Sequence, residues 1–516
     1  MSRVRLAAAA FGALASAVLY SVCFPPANLA FLAWVALVPL LVAIRRTPLA
    51  GALILTWAFT VATAYATGDW FPRAVSVYYN QSALVGIGFF LAVSSFMAGP
   101  GTIAFALCYR VLARRRGPAL PLLAGAAWVT GEIVRARLAG NPWVLLGYSQ
   151  VDVTALVQIG DLTGVYGVGF VVASVNAALA ELWLAWRDGR PLRPAVLGVA
   201  VAGGIVVLTL AYGVARLSAG IPESGGDEPV KVAVVQGNLD LGSQWRPEFY
   251  GENLRTYLQL TLQALHDGRP ALVIWPENAM SFFLDDEPLY RSAIAEVLSA
   301  GQVQLVAGGP RVVGEADRRY FNSAFLLAPD GTTLGLYDKQ RLLPFAEYFP
   351  FPSFDFLHRN FGRVREFTAG APGPALLPTI AGAAGVAICN EAMYPEIVAE
   401  HARAGAEYLI NLSNDSWIPD ATFSEITFNK VRFRAIEQRR YLVRASTSGP
   451  SAIVDPFGRV LARGGVLSRG VIAGTVRPQH TRTLYGRAGD AFAALCAASV
   501  MAGMILPSRR RPALAA

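Results

Sequence analysis

Seven apolar runs close to the membrane-spanning length of about 17 to 25 residues, two of them shorter and the one from Ala83 longer, crowd the first 220 residues and limit the fold more than any other feature. They lie near 6–24, 29–44, 49–66, 83–111, 119–134, 162–186 and 195–217, and an eighth lies near 488–506. The run from Ala83 contains Gly99-Pro100-Gly101, read as a kink within one helix, because neighbouring helices can re-satisfy the backbone groups such a break exposes. Met1-Ser2-Arg3-Val4-Arg5 ahead of the first run resembles a signal peptide, with Ala15-Ser16-Ala17 as a cleavage site. Six more spans follow at once, so this run is expected to stay as an uncleaved first helix.

Basic residues orient the spans. Fourteen arginines fall on one side: Arg3, Arg5, Arg45, Arg46, Arg110, Arg114 to Arg116, Arg187, Arg190, Arg193 and Arg509 to Arg511. The opposite short loops hold four, Arg73, Arg135, Arg137 and Arg216. Eight spans then put both termini in the cytoplasm and segment 220–487 outside. The formal net charge of +9 would suggest an acidic partner such as nucleic acid. Divided by region, it becomes +11 on the membrane part and −2 on the outer segment. The excess reports topology, and no nucleic-acid partner is expected.

Pro222-Glu223-Ser224-Gly225-Gly226-Asp227-Glu228-Pro229 is a linker by composition. Short strand-like runs follow at 231–236, 272–275, 303–308, 323–328, 385–389 and 407–412, with helices near 248–265, 287–300, 394–404 and 422–440. The alternation predicts an α/β domain of about 250 residues. The expected domains are a membrane bundle over 1–220, a linker over 221–229, a soluble domain over 230–487, and a last helix and tail over 488–516.

Four cysteines occur, and Cys389 alone lies in the outer segment. A cysteine without a partner in an oxidising compartment is either a buried structural thiol or a reactive one. A nucleophilic cysteine needs a base or a cation beside it. His266, His358, His401 and His480 sit in no motif, and no clustered Cys/His spacing supports a metal site. Carboxylates and lysine fit better. Glu277 follows the apolar run Val273-Ile274-Trp275-Pro276, where partial desolvation raises a carboxyl toward a useful general base. Only three of 44 basic residues are lysine. Lys339, in Tyr337-Asp338-Lys339, is therefore a compact ammonium suited to a developing oxyanion. Each residue taken alone also fits an ordinary structural or solvated role.

Together they resemble the nitrilase superfamily, in which Glu, Lys and Cys follow in that order at strand ends. With a membrane-embedded region before and one helix after, the chain resembles the apolipoprotein N-acyltransferase family along essentially its whole length. The membrane part carries Pro25-Pro26-Ala27-Asn28, Asn141-Pro142-Trp143 and Gly147-Tyr148-Ser149-Gln150. The outer segment carries Val235-Gln236-Gly237-Asn238, Trp275-Pro276-Glu277, Pro344-Phe345-Ala346-Glu347, Cys389-Asn390-Glu391 and Asn411-Leu412-Ser413-Asn414-Asp415-Ser416-Trp417. The resemblance implies about eight spans plus a periplasmic αββα sandwich. It also implies Glu277 as general base, Lys339 as oxyanion stabiliser and Cys389 as nucleophile, with Glu347, Glu391 and Trp245 supporting the site. Two departures stand out: Asn390 where the family usually has Tyr, and Ile418-Pro419 after Trp417 where it usually has Phe-Gly.

The implied activity moves a fatty acyl chain from a membrane phospholipid, through a cysteine thioester, to the amine of a diacylglyceryl-cysteine apolipoprotein. No cofactor is implied. Rival readings are a membrane-tethered amidase in which water resolves the acyl-enzyme, or a paralogue with another amine acceptor. A different class is a transporter or scaffold with an inactive domain, for which Glu132 and Glu181 within spans would be the functional groups. The aromatic stretch from Phe345 through Phe356, and Ser281-Phe282-Phe283-Leu284, read either as lips dipping into lipid or as core.

Overall fold

A computed structural model describes residues 3–505 apart from 116, 222–227, 240–246, 316 and 351–365, and gives backbone alone at 78. Most of the linker, Trp245, the aromatic stretch beyond Pro350 and Arg509 to Arg511 lie outside the described residues. Contact density divides the chain into two units. One comprises Met1–Asp69, Ile87–Arg216 and Asp490–Ala516; the other comprises Trp70–Gly86 and Leu217–Gly489.

Among the described residues of the first unit, five helices are long and apolar enough to cross a membrane: Arg3–Ser21, Leu49–Ala66, Ala83–Arg115, Val165–Arg187 and Arg193–Ser218. Ala83–Arg115 is one helix, with its irregular turn at Ser94–Ala98 just before Gly99. Three of the eight expected spans are shorter. Leu120–Ile133 has 14 residues and runs on through a wide turn to Leu138, and Ala491–Ile505 has 15. The run at 29–44 differs most: it breaks into a short turn, Ala30–Trp34, and a nine-residue helix, Val38–Arg46. At 1.5 Å per residue that helix reaches about 14 Å, half the hydrocarbon core. The break is stable because Asn176 serves its loose backbone groups, donating to Ala33 O and accepting from Leu37 N at 2.8 Å each. Close packing also shapes this unit. A Cβ on Gly101 would collide with Gly131 O, so the two helices cross backbone to backbone. Glu132 accepts from Leu146 N at 2.6 Å, and Glu181 pairs with Arg45. Each of these buried carboxylates thus has a partner inside the bundle.

The second unit holds two six-stranded sheets. The first has the order β12-β1-β2-β3-β4-β5, from β1 Val230–Gln236, β2 Leu272–Ile274, β3 Gln304–Val313, β4 Arg319–Leu327, β5 Thr333–Asp338 and β12 Gly470–Val476. The second has the order β11-β10-β9-β8-β7-β6, from β6 Leu376–Thr379, β7 Gly382–Ile388, β8 Tyr408–Ser413, β9 Leu442–Ser446, β10 Ala452–Val454 and β11 Val460–Arg463. In each sheet three central strands are parallel and the outer ones antiparallel.

The pleat explains the layers. Along β1, Val232 and Val234 point into the core between the sheets with Val386, Ile388, Ile410 and Leu412. Ala233 and Val235 point the other way, onto helices α1 Tyr250–Gly268 and α2 Pro288–Gly301. The second sheet buries its outer face under α3 Pro395–Arg403 and α4 Ala421–Gln438, through Val398, Phe428 and Val431. Strands covered on both faces are mostly apolar, as expected of such strands, with a few buried polar side chains such as Asn411 and Arg444. Phe282 and Leu284 belong to the core under α1 and α2 and are buried. For these two side chains the core reading holds; Phe283, half-buried, packs on Tyr320 instead.

Candidate active site

Three strand ends supply the expected trio. Glu277 leaves β2 through Trp275-Pro276 and lies against β3, whose Gly308 leaves room for it. A Cβ on Gly308 would meet Glu277 Cα at 2.5 Å and Pro276 O at 2.7 Å. Lys339 directly follows β5, its N–H donating to Asn322 O at 2.8 Å. Cys389 directly follows β7 and opens a short turn, Cys389–Met393, with φ 53°. A left-handed backbone at a non-glycine residue is held there by its surroundings. It fixes where the side chain leaves the strand.

Glu277 and Lys339 are buried in contact. Lys339 Nζ lies 3.5 Å from Glu277 Oε1 and 2.9 Å from Glu347 Oε2, and it donates to Glu347 Oε1 at 3.0 Å. Asn322 Nδ2 bridges the two carboxylates, 2.7 Å from Glu277 Oε1 and 2.8 Å from Glu347 Oε1. Asn414 N donates to Glu277 Oε2 at 2.7 Å. The electrostatics follow from burial. Desolvation raises the Glu277 carboxyl above its ordinary range; Lys339 opposes this and Glu347 adds to it. Burial works against the Lys339 ammonium, but Glu347 and Glu277, with Cys389, outweigh it and hold the charge firmly. Cys389 packs against the inter-sheet core. Its thiol is pushed up by desolvation and by Glu277, while Lys339 pulls it down. The resting site thus holds a protonated thiol, an ammonium and a carboxylate with a raised affinity for protons.

Glu391 is fully buried and fastens two strand ends together. Oε1 accepts from Gln340 N at 2.7 Å and Arg341 N at 3.0 Å, and Oε2 accepts from Ile388 N at 2.7 Å and Tyr337 OH at 3.0 Å. One carboxylate therefore ties the residues after Lys339 to the residue before Cys389. Burial pushes its pKa up to about 7, against Lys339 and the backbone donors. Asn390 is buried, and its side-chain oxygen has no hydrogen-bond partner among the described residues. Asp420, after the Ile418-Pro419 departure, caps α4 by accepting from Phe423 N at 2.9 Å.

Several supporting residues were not singled out from the sequence. Arg444, fully buried in β9, donates to Asn411 Oδ1 and, at 2.7 Å, to Asp415 Oδ2. Asn411 Nδ2 in turn donates to Ala387 O at 2.9 Å and to Cys389 O at 3.4 Å. The charged pair therefore braces the strand end that carries the cysteine. Two aromatics of the Trp70–Gly86 segment also join this unit: Tyr79 OH donates to Phe345 O at 2.7 Å, and Trp70 packs edge-on to Phe423. The signal for Asn322 and Arg444 was present, since each is a polar side chain inside an otherwise apolar strand. His401 is a packing residue, edge-on to Tyr337 and buried. Among the described residues no cluster of His, Cys, Asp and Glu could hold a metal ion.

The family models and the sequence relatives show the family. Residues 16–178 match the apolipoprotein N-acyltransferase N-terminal domain, and residues 231–485 match the carbon-nitrogen hydrolase family. An apolipoprotein N-acyltransferase of Geobacter metallireducens is 34% identical over 97% of this chain and 95% of its own. One from Azotobacter vinelandii is 32% identical over 92% of this chain and 90% of its own. Among solved structures, an amidase from Nesterenkonia sp. aligns with 50% of this chain and 95% of its own, at 19% identity and a TM-score of 0.37.

Proposed function

Because the chain belongs to the apolipoprotein N-acyltransferase family, we propose that Glu277, Lys339 and Cys389 carry its acyl transfer from a phospholipid to the amine of a lipoprotein's diacylglyceryl-cysteine. The observation that carries this is the shared electrostatic site: Lys339 lies 3.5 Å from Glu277, and its charge acts on the Cys389 thiol.

Glu277 takes the thiol proton as sulfur attacks the donor's ester carbon. Negative charge gathers on the carbonyl oxygen, where the Lys339 ammonium stabilises it. The ester C–O bond breaks, the leaving alkoxide recovers the proton from Glu277, and a thioester and a lysophospholipid result. The acceptor amine then attacks the thioester carbon and passes a proton to Glu277. The C–S bond breaks, the thiolate takes that proton back, and an amide is formed. A raised Glu277 pKa suits both proton transfers. Incubation with a phospholipid and a diacylglyceryl-cysteine peptide separates this reading from the amidase reading. Acyl chain on the peptide amine supports transfer; free fatty acid with an unmodified peptide refutes it.

The placement in the membrane belongs to the same proposal. The bundle over 1–220 and the closing helix over 488–516 supply eight crossings, with the short helices completing the set. The catalytic domain over 230–487 then lies outside and both termini inside. The arginine asymmetry supports this orientation. A cysteine placed at Asp330, exposed in the β4–β5 turn, should react with a membrane-impermeant maleimide on cells with a permeabilised outer membrane. Labelling only after the inner membrane is broken would reverse the orientation.

A further inference from the structure

At the arginine-rich end of the bundle, helices Arg3–Ser21, Val38–Arg46 and Val165–Arg187 enclose a cavity of about 690 Å³ that none of the reacting side chains lines. Its lining changes along the helices. Ala9, Gly12, Val38, Val42 and Leu184 form an apolar wall. Arg5, Arg45, Arg46 and Arg187, together with the carboxylate of Asp188, form a charged one toward the helix ends. Trp183 gathers two of these: Arg46 lies 5.8 Å and Arg187 5.1 Å from its ring centre.

The local charge does not cancel. Arg46 pairs with Asp188, and Arg45 with Glu181. Arg190 lies 3.6 Å from Asp188 and 3.9 Å from Glu181. Among the described residues, five arginines therefore stand in or beside this cavity with two carboxylates, a formal excess of three positive charges next to an apolar wall. Cations gathered next to hydrocarbon favour a bound anion, and basic pockets between membrane helices suit phosphate headgroups. A free phosphate would use only the arginines. A molecule with both a phosphate and an acyl chain uses both walls.

We propose that this cavity is a binding site for an anionic phospholipid, its phosphate among Arg5, Arg46 and Arg187 and an acyl chain along Ala9, Gly12 and Val42. None of the proposed reacting residues belongs to it, and it does not depend on the catalytic reading. Tryptophan at the boundary of the two walls is where such a ring is favoured in a bilayer.

The test uses the full chain, purified in neutral detergent and exposed to phosphatidylglycerol or phosphatidylcholine, with bound lipid counted by native mass spectrometry. Phosphatidylglycerol should be retained at least about tenfold more tightly. Arg5→Gln/Arg187→Gln, which keeps both carboxylate pairs, should reduce that preference to near parity while acyl transfer persists. Equal retention of the two lipids by the native chain would overturn the proposal. So would a preference unchanged in the double variant. Millimolar inorganic phosphate should compete poorly; if it displaces the lipid completely, the apolar wall contributes nothing and the lipid assignment fails. Should the double variant not fold, Val42→Trp, which fills the apolar wall, must lower phosphatidylglycerol retention, and unchanged retention would refute the site.

Discussion

Lys339→Met should cost both activity and stability, and a second substitution should restore only one of them. The ammonium is buried and holds two carboxylates, Glu347 at 2.9 Å and Glu277 at 3.5 Å. Removing it leaves those carboxylates facing each other without a cation. Breaking a buried pair from one side costs roughly 3–5 kcal/mol. Loss of the group that meets the oxyanion lowers kcat on the order of 100- to 1,000-fold. Lys339→Met/Glu347→Gln relieves the carboxylate repulsion, so thermal unfolding should return toward the native temperature. The rate should stay low. If stability and rate recovered together, Lys339 would be a structural counter-ion and not part of the chemistry.

Glu277→Gln tests the base with little change of shape. The amide can still accept from Asn414 N, which donates to the carboxylate at 2.7 Å, and Glu347 still neutralises Lys339. The fold should persist while kcat/KM falls roughly 100- to 10,000-fold. The pH profile carries the sign. Burial raises the Glu277 pKa above its ordinary 4.5, and the group works only when ionised. Activity of the native chain should therefore rise with pH through a midpoint above 4.5. A side-chain amide cannot titrate, so the variant should lose that acid limb. A variant that kept the limb would assign the base elsewhere.

Much of this site was legible because buried parallel strands read as mostly apolar runs. Val230–Gln236, Leu272–Ile274 and Gly382–Ile388 stand out as runs, and a charged or thiol residue just past such a run must sit at a sheet end. That placed Glu277 and Cys389; the scarcity of lysine drew attention to Lys339. The rest depends on contacts between residues far apart in sequence. Asn322 joins two carboxylates 45 positions before and 25 after it. Glu391 reaches back about 50 residues to Gln340 and Arg341. In the bundle, the break at Val35 is made good by Asn176, 139 positions from Leu37. Periodicity reports apolar content, not which polar side chain will mend a broken helix. Hence the run at 29–44 reads as a span, although its helix is only nine residues long.

The measurement that bears most directly on the reacting cysteine is intact-protein mass spectrometry of the native chain after exposure to a defined phospholipid. It should gain the mass of one acyl chain, located on Cys389, and lose it when a diacylglyceryl-cysteine peptide is added. Cys389→Ala should show no adduct. An adduct on another residue, or one that persists in Cys389→Ala, would contradict the account.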